Sequence, residues 1–532
     1  MNAEFVVVGG GAAGCVLARR LSDAGHDVLL LEAGRDDRHP DVYVPAGSAR
    51  LVGRAKWDWR YATEPDPSRN GRTDVWPAGK VLGGGSSLNG MIYLRGHPQD
   101  YANWVEAGAD GWNYEAVLPF FLRAERNERG DSVYHSGSGL LGVGDLRCPH
   151  PVDDLFIESC VAAGIPRNDD FNGAIQEGVG YYQATQWGGM RCSTARAYLG
   201  PRRRRPRLRS IVGATVTRIL IRDGRAVGVE YQSGGKTHQA TAGREVLLSA
   251  GSIASPKILM LSGIGPREHL RELGIDCRVD LPGVGGNLQE HPGIMLTYAV
   301  DLPTMNTEIH SPTRVVLRAL QYLLKRTGPA ATPISHVGVF TCVEPGVTVP
   351  DVQVHFQPMG FEVREDKVVL AKENLLSFCV NVCRPRSRGR IRLHSADPLA
   401  APKIRHPLVG TDYEVETLIR AASMMRDVMS QGPIAAHIRG EMLPGTAVDS
   451  KEAWADYVRA GAFPLYHPVG TCRMGRASDN DAVVTPDLRV RGIKGLRVID
   501  ASVMPTIPAC NTNGPTVMVA ERGAAMVLGE DM

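Results

Sequence analysis

The sequence predicts an α/β protein of at least two domains, and three observations carry that prediction. A short apolar run, Phe5-Val-Val-Val, feeds directly into Gly9-Gly-Gly11-Ala12-Ala13-Gly14, a G-x-G-x-x-G pattern that opens a helical stretch. A second apolar run, Asp27-Val-Leu-Leu-Leu, ends on Glu32, an acid at about the 20-residue spacing of a ribose-binding carboxylate. The chain has 532 residues, beyond the ~250–300 at which a single core stops growing. Together these specify a Rossmann-like dinucleotide-binding domain and a second domain of mixed antiparallel sheet and helices.

In the opening motif Gly9 permits the tight turn and Gly11 lets the backbone approach a pyrophosphate. Gly14 lets the helix pack on the strand, and Ala12 and Ala13 begin the first turn whose N–H groups meet the phosphates. Ala33 follows Glu32 at the strand end. Residues 34–80 are irregular and rich in Asp, Pro, Gly, Arg and Trp, longer than a simple connection requires. Next comes Gly83-Gly84-Gly-Ser86-Ser87-Leu88-Asn89-Gly90-Met91, whose backbone N–H groups and hydroxyls suit an anion. Residues 101–125 carry apolar positions at helical spacing. Residues 206–232 alternate as strands around an Asp223-Gly224 hairpin turn and include Val216. Glu245–Gly251 reads as a buried strand leading to a helix capped by Ser255, with Pro256 at its first position.

Residues 300–460 have no glycine fingerprint. They mix strand runs (352–356, 377–382) with helical stretches (313–326, 412–430) and read as substrate-facing. The last seventy residues are dense in signals again. Leu465-Tyr466-His467-Pro468 fixes a histidine in a Pro/Gly-rich turn. Leu496–Val498 runs into Asp500-Ala501, and Asn511-Thr-Asn-Gly-Pro515-Thr516 opens a final helix.

Totals exclude other classes. With 60 basic against 57 acidic side chains, the overall balance makes no electrostatic case for nucleic acid or an anionic membrane, and the Arg202–Arg205 run reads as a solvated loop or strand entry. The ten cysteines show no metal spacing and fit reduced thiols, so no metal is expected. No apolar run approaches the ~18–20 residues of a membrane span, and the N-terminus enters a strand at once, so a cytoplasmic location is expected. The oligomeric state is not encoded in any feature noted.

Five separated segments (5–14, 79–96, 251–265, 284–291 and the C-terminal stretches) resemble the glucose–methanol–choline (GMC) flavin oxidoreductases, choline-dehydrogenase-like or alcohol-dehydrogenase-like bacterial members in particular. The resemblance implies FAD, with a discontinuous FAD-binding domain from residues 1–150, 190–297 and 462–532. The substrate-binding domain is then 151–189 and 298–461. It places the ADP half on Gly9, Gly11, Ala12, Ala13, Gly14, Glu32 and Ala33, with Val216 near the adenine. Gly84, Ser87, Asn89, Gly90 and Met91 then serve the pyrophosphate and flavin, and Asp500, Ala501, Asn511, Pro515 and Thr516 the ribityl and ring end. Leu88 stands where some family oxidases carry a flavin-linked histidine, so FAD is expected to be non-covalent. The family's active-site histidine falls on His467 and its Asn or His partner on Asn511, with Phe463, Leu465 and Tyr466 as pocket wall. His291 is read as structural, and His336 and His355 as satisfied core or surface histidines. The implied activity is oxidation of a primary alcohol, with electrons passing to a quinone-like acceptor or to oxygen; a hydroxynitrile lyase on the same fold is the alternative.

Overall fold

A computed structural model of the chain describes residues 1–200, 205–364 and 367–530, with the side chains of 362–364 and 367–368 left aside. The part of the arginine run at 202–204 therefore lies outside the described residues. Its flank is tied to the chain, since Arg205 pairs with Asp23 at 2.7 Å and Arg207 with Asp27 at 3.3 Å.

Two seven-stranded sheets organise the molecule. The first has the order 208–212, 28–32, 2–8, 236–248, 225–233, 215–222, with Leu496–Val498 also on the fourth of these. Its left half is parallel, and the two inner strands 28–32 and 2–8 are buried almost throughout, as their Val/Leu runs require, while the edge strand 208–212 is largely exposed. Strand Lys236–Leu248 joins the halves. Its first part forms an antiparallel meander with 225–233, and its second part lies parallel to Asn2–Val8 and to Leu496–Val498. The Asp223-Gly224 turn has φ +49 and +69 at its two central residues, the conformation a two-residue hairpin needs. Helix Ala12–Asp23 and the final helix Asn513–Leu528 share the core of this sheet.

The second sheet is antiparallel, ordered 438–443, 292–300, 375–382, 352–357, 337–341, 178–181, with Phe463–Pro464 beside 292–300. Strand periodicity splits its side chains cleanly. Ile294, Leu296, Val354, Phe356, Phe378 and Val380 pack in one core with helices Pro151–Ala162 and Asp412–Met429. The alternate positions Gln353, His355, Cys379 and Asn381 belong to the opposite face, and that face meets the first sheet's C-terminal loops.

Two sequence expectations need correction. The helix placed after Ser255 begins at Gly251, so Pro256 lies inside it and Ser255 is not its cap. Asp500 accounts for the earlier start: its carboxylate accepts hydrogen bonds from Gly251 N–H (2.9 Å) and Ser255 Oγ (2.6 Å), holding the first turn from a distant segment. Residues 101–125 are two helices, Pro98–Glu106 and Tyr114–Ala124, because Gly108 and Gly111 adopt φ +93 and +83 between them.

Candidate active site

At the N-terminal end, Gly9 has φ +96 and a Cβ on Gly14 would lie 1.8 Å from Gly9 O, so only glycine lets the helix approach the strand. No side chain caps helix Ala12–Asp23, which leaves its first-turn N–H groups for an anion. Glu32 is buried at the same turn and accepts from Gly10 and Gly34 N–H, each at 2.6 Å; burial pushes its carboxyl up to about 7. Ala214 N–H bonds Glu32 O at 2.8 Å, which seats Val216 near Glu32 and Ala33.

The second glycine loop packs directly on the first. Gly83 N–H donates to Gly10 O at 2.7 Å, and a Cβ on Gly84 would reach Gly11 Cα at 2.9 Å. The expectation that this loop offers hydroxyls is corrected by the geometry. Ser86 Oγ bonds Gly83 O and Thr194, and Ser87 Oγ bonds Leu82 O, so both hydroxyls are engaged by protein groups and are not offered to a ligand. Asn89 Oδ1 accepts from Met91 N–H and Arg191, and Met91 sits at φ +65 after Gly90. Asp500 likewise has its carboxylate occupied, by Gly251, Ser255 and Ser502, and leaves backbone next to Ala501. The last helix starts at Asn513, with Pro515 and Thr516 in its first turn and no side-chain cap. Asn513 Nδ2 is buried there without a partner.

Two interlocked glycine turns, an acid at the strand end and two uncapped helix starts fit a dinucleotide with a flavin. When bound, FAD supplies the hydride acceptor. Gly14→Ala is expected to strip most of the FAD from the purified protein, because the added carbon collides with backbone that cannot yield. The ratio of flavin to protein absorbance measures this, and wild-type occupancy would contradict the packing argument.

His467 and Asn511, 44 positions apart, meet with Nε2 and Nδ2 at 3.1 Å. The tautomers follow from the partners. His291 Nε2 faces Cys383 O at 3.0 Å, and a carbonyl only accepts, so that nitrogen carries the proton. Burial lowers His291 to about 4, leaving it neutral with a bare Nδ1. His467 Nδ1 lies 3.1 Å from that atom and therefore donates, which leaves His467 Nε2 unprotonated, its lone pair accepting from an Asn511 Nδ2–H. Burial first, then His291 and His355, push His467 well below the ordinary imidazole range. Asn511 is oriented in turn, its Oδ1 accepting from Gln353 Nε2 at 3.4 Å and its N–H groups facing the base. Glu290 Oε1 accepts from the backbone N–H of both His467 (2.8 Å) and His291 (2.9 Å), fixing the two histidines relative to each other.

Two expectations about histidines change here, and the third, for His336, does not. His291 is not merely structural, since it touches His467. His355 faces the site through Tyr182, whose hydroxyl lies 3.2 Å from its Nδ1, and its Nε2 has no partner. His336 stays outside, buried against Asp153 at 2.7 Å. Glu290, Gln353, Tyr182 and Asn381 were also missed by sequence reasoning. For the wall residues, Phe463 pairs with Gly293, and Leu465 sits 2.6 Å from where a Gly293 Cβ would be. Tyr466 is 46% exposed at φ +64, at the rim rather than in the wall. No group of His, Cys, Asp and Glu that could hold a metal exists among the described residues.

Comparison with known proteins agrees with this geometry. The signatures described as GMC oxidoreductase match residues 3–293 and 385–520. The chain is 41% identical to mitochondrial choline dehydrogenase of Mus musculus, over 99% of this chain and 89% of the relative. It is 40% identical to alcohol dehydrogenase [acceptor] of Pseudomonas putida, over 99% and 95%. Among solved structures, pyridoxine 4-oxidase from Mesorbium loti superposes with a TM-score of 0.90 at 30% identity, over 100% of both chains. Formate oxidase of Aspergillus oryzae superposes at 0.92 and 26%, over 99% of this chain and 98% of that one. With an uncapped glycine cradle at one end and a fixed histidine–asparagine pair at the other, the chain belongs to the GMC oxidoreductase family.

Proposed function

We propose that this chain oxidises a primary alcohol to its aldehyde with non-covalent FAD, His467 taking the hydroxyl proton and Asn511 holding the alcohol oxygen. The observation that carries the reading is the His467–Asn511 contact with the proton pinned on His467 Nδ1. When the alcohol oxygen takes over the Asn511 N–H that caps it, the unprotonated Nε2 can accept the hydroxyl proton as hydride leaves carbon, while the amide N–H stabilises developing alkoxide charge. The relatives named above are dehydrogenases and oxidases, which supports oxidation over the lyase alternative. The two largest hydrophobic cores support a division into a FAD-binding domain (1–150, 190–297, 462–532) and a substrate-binding domain (151–189, 298–461), except that Ile391, Leu393 and Ile404 pack in the first core. The strand Pro292–Val300 already belongs to the second sheet, so the border is better drawn at Pro292.

The substrate side is polar and uncharged. Gln353 and Asn381 are opposite each other in register, and His355 lies two residues along. Gln353 Oε1, His355 Nε2 and both polar atoms of Asn381 are buried without partners, each unmet group costing about 1–3 kcal/mol. This floor supports a substrate with a second neutral hydrogen-bonding group. A quaternary ammonium forms no such bonds and favours aromatic faces, so choline should be a poor substrate. The test is an anaerobic panel: hydroxylated or carbonyl-bearing alcohols should bleach the flavin faster than choline or simple alkanols. Asn381→Leu should erase that preference, by about tenfold or more. A panel in which choline is best sinks the substrate class, and one in which no alcohol reduces the flavin sinks the activity.

Two further outcomes follow. Leu88 presents only carbon to any ligand and is 8% exposed, so acid precipitation should release the yellow colour to the supernatant. Because the depressed pKa keeps His467 unprotonated, kcat/KM should stay flat from neutral pH down to mildly acidic pH. It should fall only below the ordinary histidine range, as the base protonates. An acid limb centred near 6.5 or above would contradict that. Whether electrons pass to a quinone-like acceptor or to oxygen is decided by reoxidising the reduced enzyme with air and with a soluble quinone.

A further inference from the structure

Helix Pro312–Lys325 stands off the body of the protein with its apolar side outward. Val316, Leu317, Leu320, Leu323 and Leu324 are 49–80% exposed. Their spacing (i, i+1, i+4, i+7, i+8) puts them on one continuous face of the helix. Of the helix residues only Tyr322 is buried, at 4%, and it serves as the anchor. The cut ends of the element are defined, since Ser311 precedes Pro312 at the start and Arg326 adopts φ +56 at the close. Soluble monomers rarely expose five neighbouring large aliphatic side chains.

The charge on this segment identifies its partner. From Pro312 to Arg326 there are four cationic residues, Arg314, Arg318, Lys325 and Arg326, and no acidic one. Glu308, just before the helix, pairs with Arg314 (3.3 Å) and Arg318 (2.8 Å), while Arg326 covers the Tyr322 ring and Lys325 is exposed. Arg314, Arg318 and Lys325 fall together on a flank of the apolar stripe. A helix with aliphatic residues on one side and cations beside them is built to lie in a lipid–water interface, with its stems in the headgroups and its leucines among the acyl chains. It is too short and too charged to cross, and no helix among the described residues is long and apolar enough to do so.

We infer that this helix docks the enzyme peripherally on an anionic membrane surface. Docking of this kind brings the reduced enzyme to acceptors dissolved in lipid, so it bears on the choice between a quinone-like acceptor and oxygen without depending on the alcohol reading. The experiment is co-sedimentation of the full-length FAD-loaded protein with vesicles of phosphatidylcholine alone and of phosphatidylcholine with phosphatidylglycerol. Binding should be at least tenfold stronger with the anionic lipid and should weaken with salt. Leu320→Glu with Leu324→Glu should abolish it, while alcohol-driven reduction of a soluble dye is unchanged. Lys325→Glu with Arg326→Glu should reduce the lipid preference and leaves the apolar face intact as a check on folding. No sedimentation with either vesicle overturns the proposal, as does equal binding of the double-glutamate variant. Light scattering that shows a dimer dispersed by that same variant overturns it too, because the face is then covered by a second copy.

Discussion

His467→Ala is expected to slow alcohol-driven flavin reduction by roughly 10²–10⁴-fold, the usual worth of a positioned general base. FAD should stay bound, because the glycine turns proposed to hold its ADP half share no contact with this ring. The loss should fall on kcat as well as kcat/KM, since the proton is taken as the C–H bond breaks and not on binding alone. Stopped-flow reduction under anaerobic conditions reads the step directly. Reduction within a few-fold of the parent rate would remove His467 from the role and leave the base to another group. Asn511 bears on the same step. With its amide removed the alkoxide-like oxygen loses a donor, yet the base remains, so Asn511→Ala should cost less than the histidine variant.

Much of the nucleotide end was legible in the sequence because its physics is local. A strand, a turn that only glycine can make, a helix start and an acid at fixed spacing all lie within the first 32 residues. The helix 412–429 and the strands 352–357 and 375–382 were legible for the same reason, their periodicity being written in neighbouring positions. His467 and Asn511, which the structure brings together at 3.1 Å, were singled out because they sit in short distinctive stretches. Their supporting residues were not. His291 meets His467 across 176 positions, and Gln353 meets Asn511 across 158, and no local pattern announces either contact. Gln353 and His355 are two positions apart on one strand, but only sheet register sets Asn381 beside them and turns that face toward His467. Ser86 and Ser87 failed in the opposite direction. Their residue types suit an anion, and the loop's own carbonyls claim the hydroxyls first.

The histidine pair makes the sharper prediction about how the base is prepared. The role proposed for His291 is to accept a hydrogen bond from His467 Nδ1–H, and so to keep Nε2 the unprotonated nitrogen. Replacing it by phenylalanine removes that acceptor, lets the ring adopt either tautomer and should lower kcat by on the order of ten- to a hundredfold. A merely structural loss would do no more than lower stability, so two readouts separate the cases. His291 contacts the ring that titrates, so its loss should shift the acid limb of the pH profile, which a purely structural loss would leave in place. Asn, whose side-chain oxygen can accept the same proton, should recover most of the rate in His291→Asn, while His291→Phe does not. Equal losses in the two variants, with the acid limb unmoved, would mean that Glu290's grip on the two backbone N–H groups is enough to set the ring and that His291 contributes packing alone.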